Sequence, residues 1–238
     1  MKLKGKYVFV IGGSSGIGKE VALLCAAQEA IVTLTSREAA RAQAAASDIS
    51  SEVSGLALDI NNEKAVIDFF VSVAAVDHIY IAAGATQLGS LTEGKLADSM
   101  KAFDTRLLGS LRIVRAVVDK MNPEGSITFT GGVSTDRPIA GAWVSGLATA
   151  SAEQLARVLV MEYPDVRFNA VAPGYTDTPM WDTILGSDKE SVLSEVAKSL
   201  PVKKIASAEE VASAVVFLMS NASVTGETIH IDGGGRLV

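Results

Sequence analysis

The chain has 238 residues, 48% of them hydrophobic and 20% charged, enough to bury a substantial core as one α/β domain spanning 1–238. Its formal net charge of −6, with no block of Lys or Arg, argues against nucleic acid as a partner. No apolar run approaches the ~20 residues needed to span a bilayer, and MKLKGKYVFVIGG leads straight into a strand with no cleavable apolar segment. No membrane contact and a cytoplasmic location are therefore expected.

The first strand candidate, 6–11, runs into Ile11-Gly12-Gly13-Ser14-Ser15-Gly16-Ile17-Gly18-Lys19 and then a helix over 18–29. In such a turn Gly12 permits the tight bend, Gly16 lets backbone amides approach a pyrophosphate, and Gly18 lets the helix pack on the strand. The helix N-terminus then presents unpaired N–H groups and a partial positive charge to phosphates. Ser14, Ser15 and Ile17 belong to the same candidate site; the plain alternative is a turn without a ligand. Cys25, the only cysteine, lies in the apolar helical run and reads as a small buried hydrophobe.

A second strand over 31–35 ends in Thr35-Ser36-Arg37. An acidic residue here would bond a ribose 2′-hydroxyl, whereas Arg37 suits a 2′-phosphate, which favours NADP(H) over NAD; Lys19 offers a second positive charge. Against this stands Ser36 as a helix cap with Arg37 merely solvated. After the third strand, 53–58, Asp59 is a candidate acceptor for the adenine amino group and Ile60 for its ring face, with Asp59 as a turn residue the competing reading.

Helical patterns over 63–73, 96–120, 145–163 and 208–220 alternate with strands over 78–82, 126–130, 166–171 and 227–231. The strands read as continuous apolar runs, which predicts a parallel sheet covered by helices on both faces. The segment 175–204 breaks this rhythm with Pro179, Gly186 and Pro201 around one helical pattern, 189–200, and is expected to be a lid over a ligand crevice. Trp143, Tyr175, Met180 and Trp181 suit either an apolar pocket wall or a packed lid.

Together with Ile81-Ala82-Ala83-Gly84, Ala172-Pro173-Gly174-Tyr175-Thr176-Asp177-Thr178 and the ending Thr225-Gly226-Glu227-Thr228-Ile229-His230-Ile231-Asp232-Gly233-Gly234, these motifs resemble the short-chain dehydrogenase/reductase family over essentially the whole chain. The resemblance implies a single Rossmann-type, doubly wound domain with seven parallel strands in the order 3-2-1-4-5-6-7. It also implies a homodimer or homotetramer built on the helices at 96–120 and 145–163, the plain alternative being that both pack only on their own sheet. It places Ala82, Ala83 and Gly84 beside the cofactor, and Pro173, Gly174, Thr176 and Thr178 at its nicotinamide end. Most members carry a proton-handling Tyr and, four residues on, a Lys. Here those positions fall on Ser145 and Thr149, the family's Ser falls on Gly132, and its helical Asn on Arg106. The seven-residue spacing of the enoyl reductases does not restore the pair, since it places Tyr at Ala142 and Lys at Thr149.

Two readings follow. The first is an oxidoreductase for a small carbonyl- or quinone-like substrate, with Arg106 steadying an oxyanion and Ser134, Ser145 or water orienting the substrate. The second is a catalytically inactive NADP(H)-binding sensor or structural subunit. Asp136 and Arg137 either border the pocket or form a solvated pair. Serine hydrolysis lacks a base, because His78 and His230 both lie on strands, and neither a metal-ligand cluster nor a P-loop lysine motif is present.

Overall fold

The computed structural model describes residues 2–84 and 87–238. Seven parallel strands form one sheet: β1 (Tyr7–Ile11), β2 (Ile31–Ser36), β3 (Ser54–Ala57), β4 (Val76–Ile81), β5 (Met121–Thr130), β6 (Arg167–Pro173) and β9 (Thr228–Ile231). Their order is β3-β2-β1-β4-β5-β6-β9, the expected arrangement; the last strand is ninth only because two short strands precede it. These are β7 (Thr176–Asp177) and β8 (Ala206–Ser207), paired with each other in parallel.

Strand alternation divides the core between the two faces of the sheet. Val8 and Val10 of β1 join Val32, Leu34 and Cys25 on one side, under the helices α1 (Gly16–Ala26), α2 (Ala39–Ile49) and α8 (Ala208–Ser220). Phe9 and Ile11 point the other way, towards α3 (Glu63–Val71), α4 (Leu96–Val117) and α5 (Trp143–Glu162). Burying each such side chain stabilises the fold by about 1.5–3 kcal/mol. Cys25 is buried, and burial pushes its thiol up to about 12, so it behaves as a hydrophobe.

Three departures from the sequence reading have local causes. The Ala-rich α2, absent from the helical patterns above, packs its small side chains so closely that a β-carbon at Gly55 would fall 2.2 Å from the Ala42 carbonyl oxygen. Strand β5 starts at Met121 rather than 126, through an irregularity that pairs Val76 with Met121 and His78 with Ser126 and includes Glu124 at a positive φ of 65°. Helix α4 stops at Val117 and a 3₁₀ turn over Val118–Lys120 follows, which lets the Lys120 ammonium donate to the Phe70, Val71 and Val73 carbonyls at the end of α3.

Chain progression reverses direction between β1 and β4, leaving a crevice at their C-terminal ends. The stretch after β6 forms α6 (Met180–Leu185) and α7 (Lys189–Ser199) before returning at β8. The β7–β8 pair thus ties both ends of this excursion together, with Thr176 opposite Ala206. No helix among the described residues is long and apolar enough to cross a membrane.

Candidate functional site

A cavity of about 740 Å³ opens at the C-terminal ends of β1, β2, β4, β5 and β6. At its floor Gly12 has φ +88°, and a β-carbon there would lie 2.8 Å from the Ala83 nitrogen. One at Gly18 would lie 2.4 Å from the Gly12 carbonyl oxygen. Both positions need glycine, one for conformation and contact and the other for contact alone. Ser15 precedes α1 without a side-chain cap, and no acidic residue occupies the first turn, so the helix end facing the cavity keeps its positive character. Ser14, Ser15, Gly16, Ile17 and Gly18 all line the cavity. Thr178 closes on this turn from the far side, 3.4 Å from the place a β-carbon of Gly16 would take.

At the β2 end the wall is Ser36, Arg37 and Arg41. Glu38, not Ser36, is the cap residue of α2, and Ser36 Oγ accepts only a long 3.4 Å bond from the Glu38 N–H. Neither Arg37 nor Arg41 forms an ion pair among the described residues, so both are free to meet an anion. Lys19 does not supply the second cation expected of it: its ammonium is turned to Asp48 of α2, at 2.9 Å, and Arg41 lines the cavity instead. Asp59 lines the cavity and also accepts from the Asn61 N–H at 3.0 Å, as a turn residue does. Ile60 sits on the wall, but its side chain packs towards Gly109 of α4.

Ala82, Ala83 and Gly84 follow β4 along the cavity floor. Beside them Arg106 reaches from α4, its Nη1 donating to the Thr130 carbonyl and its Nε without a partner among the described residues. A β-carbon at Gly84 would lie 2.7 Å from Arg106 Nη2, so glycine makes room for the guanidinium. Burial pulls Arg106 below its ordinary pKa, while Tyr80 and Glu153 push it back up; an arginine so placed remains a cation. Tyr80, buried in β4, lies 3.0 Å from the Thr130 hydroxyl, and burial raises its phenol to about 12, which keeps it neutral.

Helix α5 lays three polar side chains along its buried face, Ser145, Thr149 and Glu153, spaced four apart. Ser145 lines the cavity, but its hydroxyl is committed to the Gln87 backbone at 3.1 Å in each direction. Thr149 Oγ1 donates towards the Ser145 and Gly146 carbonyls, each at 3.0 Å. Ser134 and Gly132 complete this wall, and a β-carbon at Gly132 would meet Thr149 Cγ2 at 2.9 Å. Sequence reasoning misses Glu153, although its four-residue spacing from Thr149 is an available signal. It misses Arg41 and Tyr80 as well.

After β6, Pro173, Gly174, Thr176 and Thr178 line the opposite wall. Tyr175 and Trp181 stack with ring centres 5.0 Å apart, and the Trp181 indole N–H donates to the Thr176 carbonyl at 2.9 Å. Lys189 bridges Asp177 and Asp182 at 3.0 Å each. Asp136 is paired with His230 at 2.8 Å, while Arg137 lines the cavity and donates to the Gly235 carbonyl at 2.7 Å, so the two do not form a solvated pair. His78 is buried and bonded to Ser126 at 2.9 Å. Among the described residues no group of His, Cys, Asp and Glu is arranged to hold a metal ion.

Apart from Lys19, Trp143 and Asp136, the residues singled out from the sequence for cofactor or substrate all reach one cavity. Known proteins share this plan. A family described as Enoyl-(Acyl carrier protein) reductase matches residues 12–235. The 3-oxoacyl-[acyl-carrier-protein] reductase of Homo sapiens is 30% identical, over 98% of this chain and 99% of its own. Among solved structures, a short chain dehydrogenase/reductase family protein superposes with a TM-score of 0.90 at 34% identity, covering 100% of both chains. A small-chain dehydrogenase in complex with NADPH gives 0.86 at 30% identity, over 99% of this chain and 100% of that one. By sequence and fold, the chain belongs to the short-chain dehydrogenase/reductase family of oxidoreductases, which bind NAD(P)(H).

Proposed function

We propose that this protein is an NADP(H)-dependent oxidoreductase with a non-standard active site, reducing a small carbonyl- or quinone-like substrate. The cavity fits a dinucleotide: Gly12 and Gly18 form a cradle that β-carbons would fill, and the α1 N-terminus faces it. Arg37 and Arg41 suit the 2′-phosphate that separates NADP(H) from NAD(H). NADPH supplies the hydride. Thr176, Thr178, Pro173 and Gly174 would hold its nicotinamide end, and the excursion through α6 and α7 would act as a lid that keeps water out.

The four positions at which the family resemblance expects Asn, Ser, Tyr and Lys hold Arg106, Gly132, Ser145 and Thr149. The observation that carries the reading is Arg106, a cavity-lining cation pinned by the Thr130 carbonyl. A fixed guanidinium of this kind stabilises negative charge developing on a substrate oxygen, and losing one such donor slows turnover by a factor of roughly 10²–10³. Ser134 is left to orient the substrate.

NADPH oxidation against a panel of carbonyls and quinones tests this. Arg106→Ala should lose turnover by that factor while calorimetry shows NADPH binding intact; unchanged turnover removes Arg106 from the chemistry. Tight NADPH binding with no turnover by the unmodified protein would instead support a non-catalytic sensor or structural subunit. The commitment of both Ser145 and Thr149 to protein acceptors favours that second reading.

The same proposal includes a cytoplasmic homodimer or homotetramer. Leu108 of α4 and Leu147, Val158 and Met161 of α5 are exposed, and a second copy would remove them from water. Light scattering on the purified protein measures the assembly directly.

A further inference from the structure

Among the described residues, the charged side chains that line the cavity are Arg37, Arg41, Asp59, Arg106, Arg137 and Asp232. The first three stand beyond the ends of β2 and β3, and Arg106 lies at the floor, bonded to the end of β5. Arg137 and Asp232 follow β5 and β9. The Asp232 carboxylate is already supplied: it accepts from the Gly234 and Arg236 N–H groups and from the Arg236 guanidinium, at 3.0 Å each. Arg137 has only the Gly235 carbonyl, which its Nη1 reaches at 2.7 Å, and forms no ion pair among the described residues. One positive charge is left unmet on this side of the cavity.

An exposed arginine is ordinarily just solvated, and pairing one at the surface contributes little. Arg137 differs in being fixed. Its anchor Gly235 is buried, donates its N–H to the Asp232 carbonyl at 2.9 Å, and has Leu200 Cδ2 3.0 Å from where a β-carbon would stand. At the other end the Arg137 N–H donates to the Val133 carbonyl at 2.8 Å. With Nη1 held, Nε and Nη2 have no protein acceptor among the described residues. They form the edge of the guanidinium that matches a carboxylate with two parallel bonds. The neighbouring wall is apolar. Helix α7 turns Val192, Val196 and Ser199 to the cavity on one face, while Lys189, Glu190, Glu195 and Lys198 line none of it. Met180 and Leu185 of α6, with Ile139 and Leu200, extend this surface.

We propose that the substrate is an oxo acid with an apolar body, its carboxylate paired with Arg137 and its body lying against α6 and α7. The binding rests on the cavity alone, and the reduction of the oxo group rests on the reductase reading above. The carboxylate itself does not react. One guanidinium matches the single charge of a carboxylate, whereas a phosphate monoester would keep much of its charge unmet. An apolar body loses nothing by leaving water for the α6–α7 wall, while a polar one would lose hydrogen bonds there. Arg106 at the oxo group and Arg137 at the carboxylate would hold the substrate at two points, which fixes its orientation towards the nicotinamide.

The test sets oxo acids with apolar bodies of graded length against their methyl esters. It measures NADPH oxidation and, by calorimetry, binding to the NADP⁺-saturated protein. Acids should be preferred to their esters by roughly ten- to a hundredfold, in kcat/KM and in affinity. Arg137→Met, which keeps the length of the side chain without its charge, should erase that preference. Arg137→Lys, which keeps the charge without the fork, should retain part of it. Equal losses for acid and ester in Arg137→Met make the residue structural and overturn the proposal. Acids and esters that are equivalent in the unmodified protein also overturn it and leave the reductase reading standing. A hydroxylated body bound as tightly as an apolar one overturns the role of α6 and α7. If NADPH binds and no compound is reduced, the reductase reading fails and calorimetry decides the rest. Acid-selective binding erased by Arg137→Met then keeps the ligand assignment, and unselective binding overturns that as well.

Discussion

Ser145 holds the backbone of Gln87 in both directions, its Oγ accepting from the N–H at 3.1 Å and donating to the C=O at 3.1 Å. Its one hydroxyl proton is therefore spent on a protein carbonyl. Ser145→Ala should leave kcat close to that of the unmodified protein while the chain at Gln87 loosens. Each lost bond is worth about 0.5–1.5 kcal/mol, so amide exchange at Gln87 should accelerate roughly tenfold, as read by hydrogen–deuterium exchange. Turnover slowed by roughly a hundredfold or more, the scale of a lost general acid, would return the hydroxyl to the chemistry.

Arg37 and Arg41 stand at the same end of the cavity with no acidic partner among the described residues. Charge-assisted hydrogen bonds contribute about 1.5–3 kcal/mol, so Arg37→Ala should weaken NADPH binding by roughly one to two orders of magnitude and leave NADH binding almost unchanged. Arg41→Ala should act in the same direction, and Lys19→Ala should not, because Lys19 is engaged with Asp48. Isothermal titration calorimetry with both nucleotides separates these outcomes.

A buried histidine makes stability depend on pH. Burial is the largest cause that lowers His78 from 6.5 to about 4; Arg167 lowers it further, Asp77 opposes, and Lys6 adds a smaller lowering. The folded state thus resists protonation that the unfolded chain accepts. Stability is complete above pH 6.5, declines as pH falls towards about 4, and loses nothing more from this group below that. The decline is about 1.4 kcal/mol per pH unit, on the order of 3 kcal/mol in all. Urea unfolding between pH 7 and pH 4 should show this slope, and His78→Gln should remove it.

A serine placed at position 132 should not fit the cavity wall. Its β-carbon would meet Thr149 Cγ2 at 2.9 Å, and Thr149 is a buried, β-branched side chain with little freedom to yield. Overpacking of this kind costs about 1–3 kcal/mol, so Gly132→Ser should lower Tm by roughly 2–4 °C per kcal/mol. Adding Thr149→Ala should recover most of the loss. Equal and additive penalties in the double-mutant cycle would show that the two positions do not clash.

The parts legible in the sequence are those fixed by local geometry. Gly12 and Gly18 announce themselves because a positive φ and a close strand–helix contact exclude side chains there. Helix α8 begins with a Ser207–Glu210 capping box, and its bounds are readable to the residue. What escapes depends on partners distant in sequence. Lys19 looks like a phosphate ligand until α2 brings Asp48 to it, 29 residues on. Ser145 looks free until the chain at Gln87, 58 residues away, takes both sides of its hydroxyl. Glu153 sits in an ordinary helical pattern, and only the fold reveals that Gly131 and Gly132 leave room for it and for Thr149.

The Tyr175–Trp181 stack gives the molecule an internal optical gauge. Trp181 is one of only two tryptophans, and it is fastened between an aromatic neighbour and the Thr176 carbonyl at the border of the cavity. With Trp143→Phe silencing the other indole, the remaining emission comes from a fluorophore on the cavity wall. Its quenching would then report occupancy of the cavity in real time, without an attached dye.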